Sequence, residues 1–550
     1  MRFTGVLAAA VLAALVGAVA LNVLSRTFGL GLVGANIAGA WLLPVLAFLA
    51  LPGLIPKKAT WRGDVSRVVT GFVVGVATLG LTGAASRVGG IEPVLGIPVA
   101  LRFGVVAVVC VFALAIGLLN GRRHAVTLLL GAGLAALPLP SLPVLVIAVF
   151  FLVMLAIRVP VALALLGAAA LAPGPLSDAA LSQTVVRGMS HSVLLAVPLF
   201  VLAAGLLVAG GVGQHILSAV RALCGQRATA LGEANVWASL GFGGVSASSL
   251  ADAATSARLL VPTMVRAGYR RERACAISAA SAVLPNIVPP SIALLLAAAA
   301  TDQSVGTLWL AGLAAAPIFT GALLIAVRLT PPQSSAPEEK DPAPTDNTSS
   351  RRPLAALLPV ALMGAALVLA LRFGLVTAVE AGCVAVLLAL LFAAKEGGIS
   401  AIGAALVEAA RQSGRVGLLI GAAAPIAFLV ATSGVNAADV IPTHSAAVAL
   451  LVAVLLCLLV GTFLDAGAAI LLMLPVLIPT LVAAGIGPAH GTLTLTLSLL
   501  IGGLTPPVGI LILVVKEVGG ADGVYRAALP YLAALLGALV VVLLVPLVSG

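Results

Sequence analysis

Charge is scarce in this chain. Of 550 residues, 9% are Asp, Glu, Lys or Arg, against about 25% in an ordinary soluble domain. Aromatic residues are equally thin, at 4%. The five cysteines, Cys110, Cys224, Cys275, Cys383 and Cys457, form no CxxC pair and no Cys/His cluster. They read as small apolar fillers, which excludes a disulfide or zinc framework. The histidines His124, His191, His215, His444 and His490 are scattered, and no HExxH, Walker A loop or Ser/His/Asp grouping occurs. A catalytic reading and direct ATP-driven transport both lack their residues. Lys and Arg are also missing throughout 416–515.

What fills the chain instead is apolar: 62% of residues are hydrophobic and the mean hydropathy is +1.24. Apolar runs long enough to cross a bilayer recur from 4–22 to 528–548, which predicts an all-α polytopic membrane protein with about 15 crossings. Arg2 followed by an apolar run and "AVA" at 18–20 has the outline of a signal peptide. The length of that run, and the span after it, favour a first transmembrane helix. The net charge of +11 does not signal nucleic acid, because the basic residues stand singly or in short clusters between apolar runs.

Two stretches, 236–265 and 446–480, are apolar but broken by Gly, Ser, Pro and Asp. We read them as re-entrant helical hairpins. With the N-terminus inside and one crossing per full span, 23 of the 29 basic residues fall in the cytoplasm. Arg26, Arg87, Arg102, Arg187 and Arg372 fall outside, and Arg258 lies within a hairpin. This bias supports the span count and puts the C-terminus in the periplasm. Basic residues flank the first hairpin, which should open inward. The second, in the region without Lys or Arg, should open outward. Similar elements in opposite orientation are the product of an inverted repeat. The one polar, Pro/Ser-rich segment, 331–353, reads as a flexible cytoplasmic linker between the two halves.

Each half carries a matched pair of motifs. "GGVSASSLAD" (243–252) precedes "PNIVPPSI" (285–292), and "GTFLD" (461–465) precedes "GGLTPPVG" (502–509). Pro-Pro inside an apolar span removes two backbone donors and frees carbonyls upstream. Such orphan carbonyls are costly in hydrocarbon unless something satisfies them. A cation does so: unwound carbonyls, Ser/Thr hydroxyls and a carboxylate make an oxygen cage of sodium size, while the nearby half-helix N-termini favour an anion. Each piece also has a plainer reading, as a packing kink or a small-residue contact. The acids inside apolar segments are Asp252, Glu380 and Asp465. Asp252 and Asp465 fit an ion site, or the holding of a hairpin tip through backbone hydrogen bonds. Glu380 lies near the outer end of its span, in reach of interfacial water. Arg258 fits a substrate carboxylate, or a snorkelling side chain or ion-pair partner.

The run "AVPLFVLAAGLLVAGG" (196–211), the first hairpin motif, "VPTMVRAGYRRERA", "NIVPPSIALLL", "GTFLD…MLPVLIPTL" and "LTPPVG" together resemble the large membrane subunit (DctM-like) of TRAP transporters, the tripartite ATP-independent periplasmic systems. The resemblance covers roughly 142–548. Residues 1–123, with "NVLSRTFG" at 22–29, resemble the small four-helix subunit (DctQ-like), although no acidic residue occurs between Arg26 and Asp64. Residues 124–141 would then be a connecting helix, 142–330 the first repeat of the large subunit and 354–550 the second.

The resemblance implies the hairpin-containing ion transporter superfamily, an elevator motion, a bacterial inner-membrane location and sodium-driven uptake. It implies a periplasmic substrate-binding protein as partner and small carboxylates such as C4-dicarboxylates or sialic acids as substrates. No cofactor is expected beyond coupling sodium ions. Carried over by motif, the sodium sites would involve Gly244, Ser246, Ser248, Ser249, Asn286, Pro289 and Ser291, and in the second half Gly461, Asp465, Thr505, Pro506 and Gly509. Asp252 and Arg258 remain further candidates for ion or substrate. Two positions depart from the family pattern: Ala247 stands where the hairpin tip has Gly, and Arg258 stands where a small or apolar residue is expected. The other classes of function are a symporter of the same superfamily that needs no binding protein, a membrane enzyme or scaffold, and a channel. The small-subunit-like N-terminus argues against the first. The missing catalytic cluster argues against the second, and the paired acid-bearing hairpins against the third.

Overall fold

A computed structural model describes residues 2–27, 34–49, 150–155, 159–171, 178–190, 192–212, 229–243, 249–331, 364–432 and 445–545, with Arg67, Thr70, Val73, Val74 and Ile216. All regular structure among the described residues is helical. The expected connecting helix, the linker beyond Pro331 and much of the small-subunit-like unit lie outside them. So do Gly244, Ser246, Ala247 and Ser248.

The chain divides into two compact units, one of residues 1–202 with 403–435 and one of 203–402 with 436–550. In the first unit, α1 (Arg2–Thr27) packs on α2 (Gly34–Leu49). Helix α3 (Val161–Ala170) packs on α4 (Asp178–Met189), and α4 on α2. A 3₁₀ turn (Ser192–Leu195) leads into α5 (Ala196–Ala209), bent by 62° from α4.

The second unit holds both motif pairs. The first hairpin is α6 (Ala230–Phe242), then α7 (Ser249–Leu259) with its short continuation α8 (Val261–Arg266). The first broken helix is α9 (Arg271–Ser281), a 3₁₀ turn (Leu284–Asn286) and α10 (Ile292–Thr301), followed by α11 (Val305–Leu329). In sequence, α12 (Ala378–Glu396) and α13 (Gly398–Thr432) begin the second half, α13 from Gly403 on belonging to the first unit. Its hairpin is α14 (Ala446–Phe463) and α15 (Ala466–Ala483). Its broken helix is α16 (Pro488–Gly502) and α17 (Ile510–Gly519), and α18 (Val524–Leu544) ends it.

Lengths sort these helices. Six described helices, α11, α12, α13, α14, α15 and α18, are long and apolar enough to cross a membrane, and the bent α4–α5 pair is a seventh if counted as one span. The four broken-helix pieces have 10 to 15 residues, about 15–22 Å at 1.5 Å per residue, short of a hydrocarbon core of about 30 Å. The limbs α6 and α7, of 13 and 11 residues, are equally short. The second hairpin differs: α14 and α15 have 18 residues each and meet the length criterion for a crossing. The sequence also leads one to expect a connector separate from the span at 416–434. Instead α13 is one continuous helix of 35 residues. The first part carries Glu408, Arg411 and Arg415, and no Gly-Pro break falls between connector and span.

The two halves exchange partners. Helix α7, the second limb of the first hairpin, packs on α17, the piece after the second break. Reciprocally, α15 packs on α10, the piece after the first break. The last helices of the halves, α11 and α18, pack on each other. Arg271 at the start of α9 donates to the Gly519 carbonyl at the end of α17 (3.3 Å). Thr492 near the start of α16 donates to Thr301 at the end of α10 (3.4 Å). Start meets end in both cases, so corresponding pieces run antiparallel.

Candidate functional site

In the first half the hairpin and the break are joined by side chains. Helix α6 ends at Phe242, and the next residue, Gly243, lies so close to the break that a Cβ there would come within 2.8 Å of the Val288 Cβ. The first described residue of the second limb is Ser249, which is buried. The Asn286 Nδ2 donates to the Ser249 Oγ at 2.5 Å. The Ser291 Oγ donates to the Asn286 carbonyl and accepts from the Leu294 N–H at 3.1 Å, capping α10. The Trp309 Nε1 donates to the Ser291 carbonyl at 3.3 Å, fixing the break against α11. Ser249, Asn286, Pro289 and Ser291 are thus brought together, all buried. An N-cap serine at this point follows from chemistry: α10 restarts after Pro-Pro, and its first N–H groups need an acceptor.

In the second half the same junction is made by small residues. Helices α14 and α16 cross at Gly461 and Gly502. A Cβ on Gly461 would lie 2.4 Å from the Leu499 carbonyl oxygen, and one on Gly502 2.6 Å from that of Leu458. Only glycine permits this approach. One turn beyond, Asp465 caps α15, its Oδ2 accepting from the Gly467 N–H at 3.2 Å. After Gly502 the chain tightens: the Thr505 N–H donates to the Gly502 carbonyl (2.8 Å) and its hydroxyl to that of Ile501 (3.3 Å). Gly509 then turns into α17 with φ of 53°, the left-handed region where a side chain is costly. Both Pro-Pro bonds, Pro289–Pro290 and Pro506–Pro507, are cis. The first break is sealed, whereas Pro506 is exposed and Thr505 half-buried.

The candidate acids do not occupy corresponding places. Asp465 is the residue that starts its second limb, but Asp252 sits within the first turn of α7, three residues after Ser249. Ser249 precedes Pro289 by 40 residues and Asp465 precedes Pro506 by 41, while Asp252 precedes Pro289 by 37, so in spacing Ser249 lies nearer to Asp465 than Asp252 does. Arg258 is exposed in the last turn of α7, about 13 Å along the helix axis from Ser249. Glu380 serves its own helix. It completes a capping box with Thr377, accepting the Thr377 N–H at 2.7 Å while its own N–H donates to the Thr377 hydroxyl at 3.3 Å.

One polar cluster escapes the motif reading. Asn235 of α6, fully buried, donates to the Ser278 hydroxyl of α9 (2.7 Å) and accepts from the Ser256 hydroxyl of α7 (2.9 Å). Both hairpin limbs are thereby tied to the broken helix. Nearby, Glu233 holds Arg328 through two bonds of 3.0 and 3.1 Å. The signal in the sequence is an amide within an apolar run, and a hairpin that starts at 236 leaves it out by one residue.

The comparisons with known proteins agree with these motifs. The family described as "Tripartite ATP-independent periplasmic transporter, DctM component" matches residues 148–548. The 2,3-diketo-L-gulonate TRAP transporter large permease protein YiaN of Escherichia coli is 30% identical over 406 residues, 71% of this chain and 94% of that protein. The sialic acid TRAP transporter large permease protein SiaM of Vibrio cholerae is 31% identical, covering 66% of this chain and 87% of its own. The C4-dicarboxylate TRAP transporter large permease protein DctM of Pseudomonas aeruginosa is 29% identical, covering 68% and 89%. A multi-pass membrane chain whose two motif pairs lie inside this match, it belongs to the DctM family of TRAP transporter large permeases.

Proposed function

We propose that this chain is the membrane permease of a binding-protein-dependent TRAP system that takes up a small organic anion, driven by sodium, across a bacterial inner membrane. One observation carries the reading. In each half, two helix C-termini and two helix N-termini meet where hairpin and break join. In the first half these are the ends of α6 and of the Leu284–Asn286 turn with the starts of α7 and α10. In the second they are the ends of α14 and α16 with the starts of α15 and α17. Helix C-termini present carbonyl oxygens and partial negative charge, which suit a cation. N-termini present N–H groups, which suit an anion. A cation and a carboxylate bound side by side are what sodium–anion symport requires.

In this reading Asn286, Ser249 and Ser291 shape the first ion site together with Gly244, Ser246 and Ser248, while Asp465 and Thr505 shape the second. The chain acts by binding and moving, not as an enzyme. The reciprocal packing of hairpins and broken helices supports a hairpin-bearing body that carries its sites as one piece, as an elevator motion needs. The charge bias supports a cytoplasmic N-terminus. The three relatives are named for a keto sugar acid, a sialic acid and a dicarboxylate, and all three substrates carry a carboxylate. We further propose that residues 1–123 are a fused small subunit.

The test is uptake into proteoliposomes holding the full chain, with its genomically adjacent secreted binding protein and a labelled panel of dicarboxylates and sugar acids. Uptake that needs both an inward sodium gradient and the binding protein supports the proposal. Sodium-driven uptake without a binding protein favours the simple symporter. No gradient-driven uptake of any panel member overturns it.

A further inference from the structure

Helices α11 and α18 lie against each other without closing. Along their shared side runs an apolar groove of about 630 Å³ lined by Pro317, Gly321, Ile325, Ala534, Gly537 and Val541, among others. Small residues hollow it out. A Cβ on Gly321 or on Gly537 would meet nothing within 4 Å. Its rims are apolar and open, with Ile325 59%, Leu329 77% and Val541 44% exposed. In a chain that spans a membrane, such a surface faces acyl chains rather than water.

One end of the groove is polar and basic. The Thr330 hydroxyl, part of the groove lining, hydrogen-bonds the Tyr531 hydroxyl at 2.9 Å. Arg273 donates to the Pro331 carbonyl beside it and acts electrostatically on Tyr531. Arg526 is exposed and stands one helical turn before Pro530, in line with Pro530, Ala534, Gly537 and Val541. Arg328, at the same end, is held by Glu233, and Asp522 is held by Lys516 at 2.8 Å. Glu233 and Asp522 are therefore already engaged with bases. This is the end that the charge bias assigns to the cytoplasm, where anionic headgroups lie.

We infer that the groove between α11 and α18 is a binding site for an anionic phospholipid of the inner leaflet. An acyl chain fills the slot beside Gly321 and Gly537. The phosphate is held at the mouth by Arg526 and Arg273, with the Thr330–Tyr531 hydroxyl pair at the glycerol level. Charge complementarity selects this occupant over a neutral lipid or a protein helix, because a positive mouth opening on an apolar slot matches an acidic headgroup on a hydrocarbon tail.

Native mass spectrometry of the full chain, incubated in detergent with phosphatidylglycerol or phosphatidylcholine, tests this. The wild type should retain one phosphatidylglycerol, with a preference over phosphatidylcholine of about fivefold for each arginine engaged. Gly537→Leu, which fills open space, should lose retention of both lipids. Arg526→Gln should keep a bound lipid but lose about fivefold of the preference. Because the two variants fail in different ways, misfolding cannot imitate the pattern. Unchanged retention in Gly537→Leu would overturn the site, as would an unchanged preference in the Arg526→Gln/Arg273→Gln double variant. A wild-type dimer that Gly537→Leu dissociates would assign the groove to protein instead.

Discussion

The Asn286 amide donates to the Ser249 hydroxyl at 2.5 Å, joining a hairpin limb to a helix break 37 residues further along. Both groups are buried, so neither can turn to water if the other is removed. Ser249→Ala and Asn286→Ala should each cost about 1–3 kcal/mol. The double variant should fall short of additivity by about 1 kcal/mol, because the second change removes a partner already lost. Thermal or denaturant unfolding of all four proteins in one detergent measures the coupling. Full additivity would deny the bond.

At the second junction the expected effect is steric. Gly461→Ala puts a methyl group onto the Leu499 carbonyl, and the helices α14 and α16 must separate, at about 1–3 kcal/mol. Gly537→Ala, inside α18 where a Cβ meets open space, should keep or slightly raise the unfolding midpoint. Equal midpoints for the two variants would mean that α14 and α16 do not pack on the Gly461–Gly502 contact.

Asn235 should matter more than either serine it binds. Asn235→Ala strands the Ser256 and Ser278 hydroxyls together, for about 2–4 kcal/mol, whereas Ser256→Ala leaves one amide acceptor unmet, for about 1–2 kcal/mol. Hydrogen exchange of α6 and α7 should rise in Asn235→Ala before that of α18 does. Uniform loosening of all three helices would contradict a local tie.

Arg328 and Glu233 are unequal partners. The Glu233 side chain is 7% exposed and that of Arg328 57%. Arg328→Ala should therefore destabilise more than Glu233→Gln, since it leaves a buried carboxylate without its guanidinium, with the Thr229 hydroxyl at 2.8 Å still donating to it, while the glutamine leaves only a solvated guanidinium. The order of their unfolding midpoints is the measurement, and the reverse order would place the carboxylate in water.

These partners also mark where sequence reading stops. The Pro-Pro breaks, the helix pairs before them and their order were legible because glycine and proline leave local marks: "GTFLD" and "LTPPVG" lie at their junction within a residue or two. The length of α14 and α15, 18 residues each and enough to cross a membrane, was not expected of a re-entrant hairpin. The crossing of α14 and α16 was only half legible. Gly461 was expected to coordinate an ion, and its geometry gives it a packing role first. The exchange of partners between halves, α7 with α17 and α15 with α10, leaves no local mark, since apolar faces in a membrane chain look alike on every side. Acid position misled for the same reason. Asp252 resembles Asp465 in the motif, yet Ser249 comes closer to the spacing of Asp465 from its Pro-Pro pair. Asn235 was missed because a lone amide in an apolar run gains meaning only from Ser256 and Ser278, 21 and 43 residues away.

In the proposed function, the junctions of hairpin and break bind the coupling ion. The direct measurement is the initial uptake rate against external sodium in proteoliposomes, for the wild type and for Asp465→Asn. The asparagine keeps an acceptor for the Gly467 N–H, so the α15 cap and the fold survive, but the charge is gone. Wild-type uptake should rise with sodium and vanish without it, and the Asp465→Asn variant should need about tenfold more sodium for the same rate. Sodium curves that superimpose would reduce Asp465 to a helix cap, and wild-type uptake indifferent to sodium would contradict the ion sites altogether.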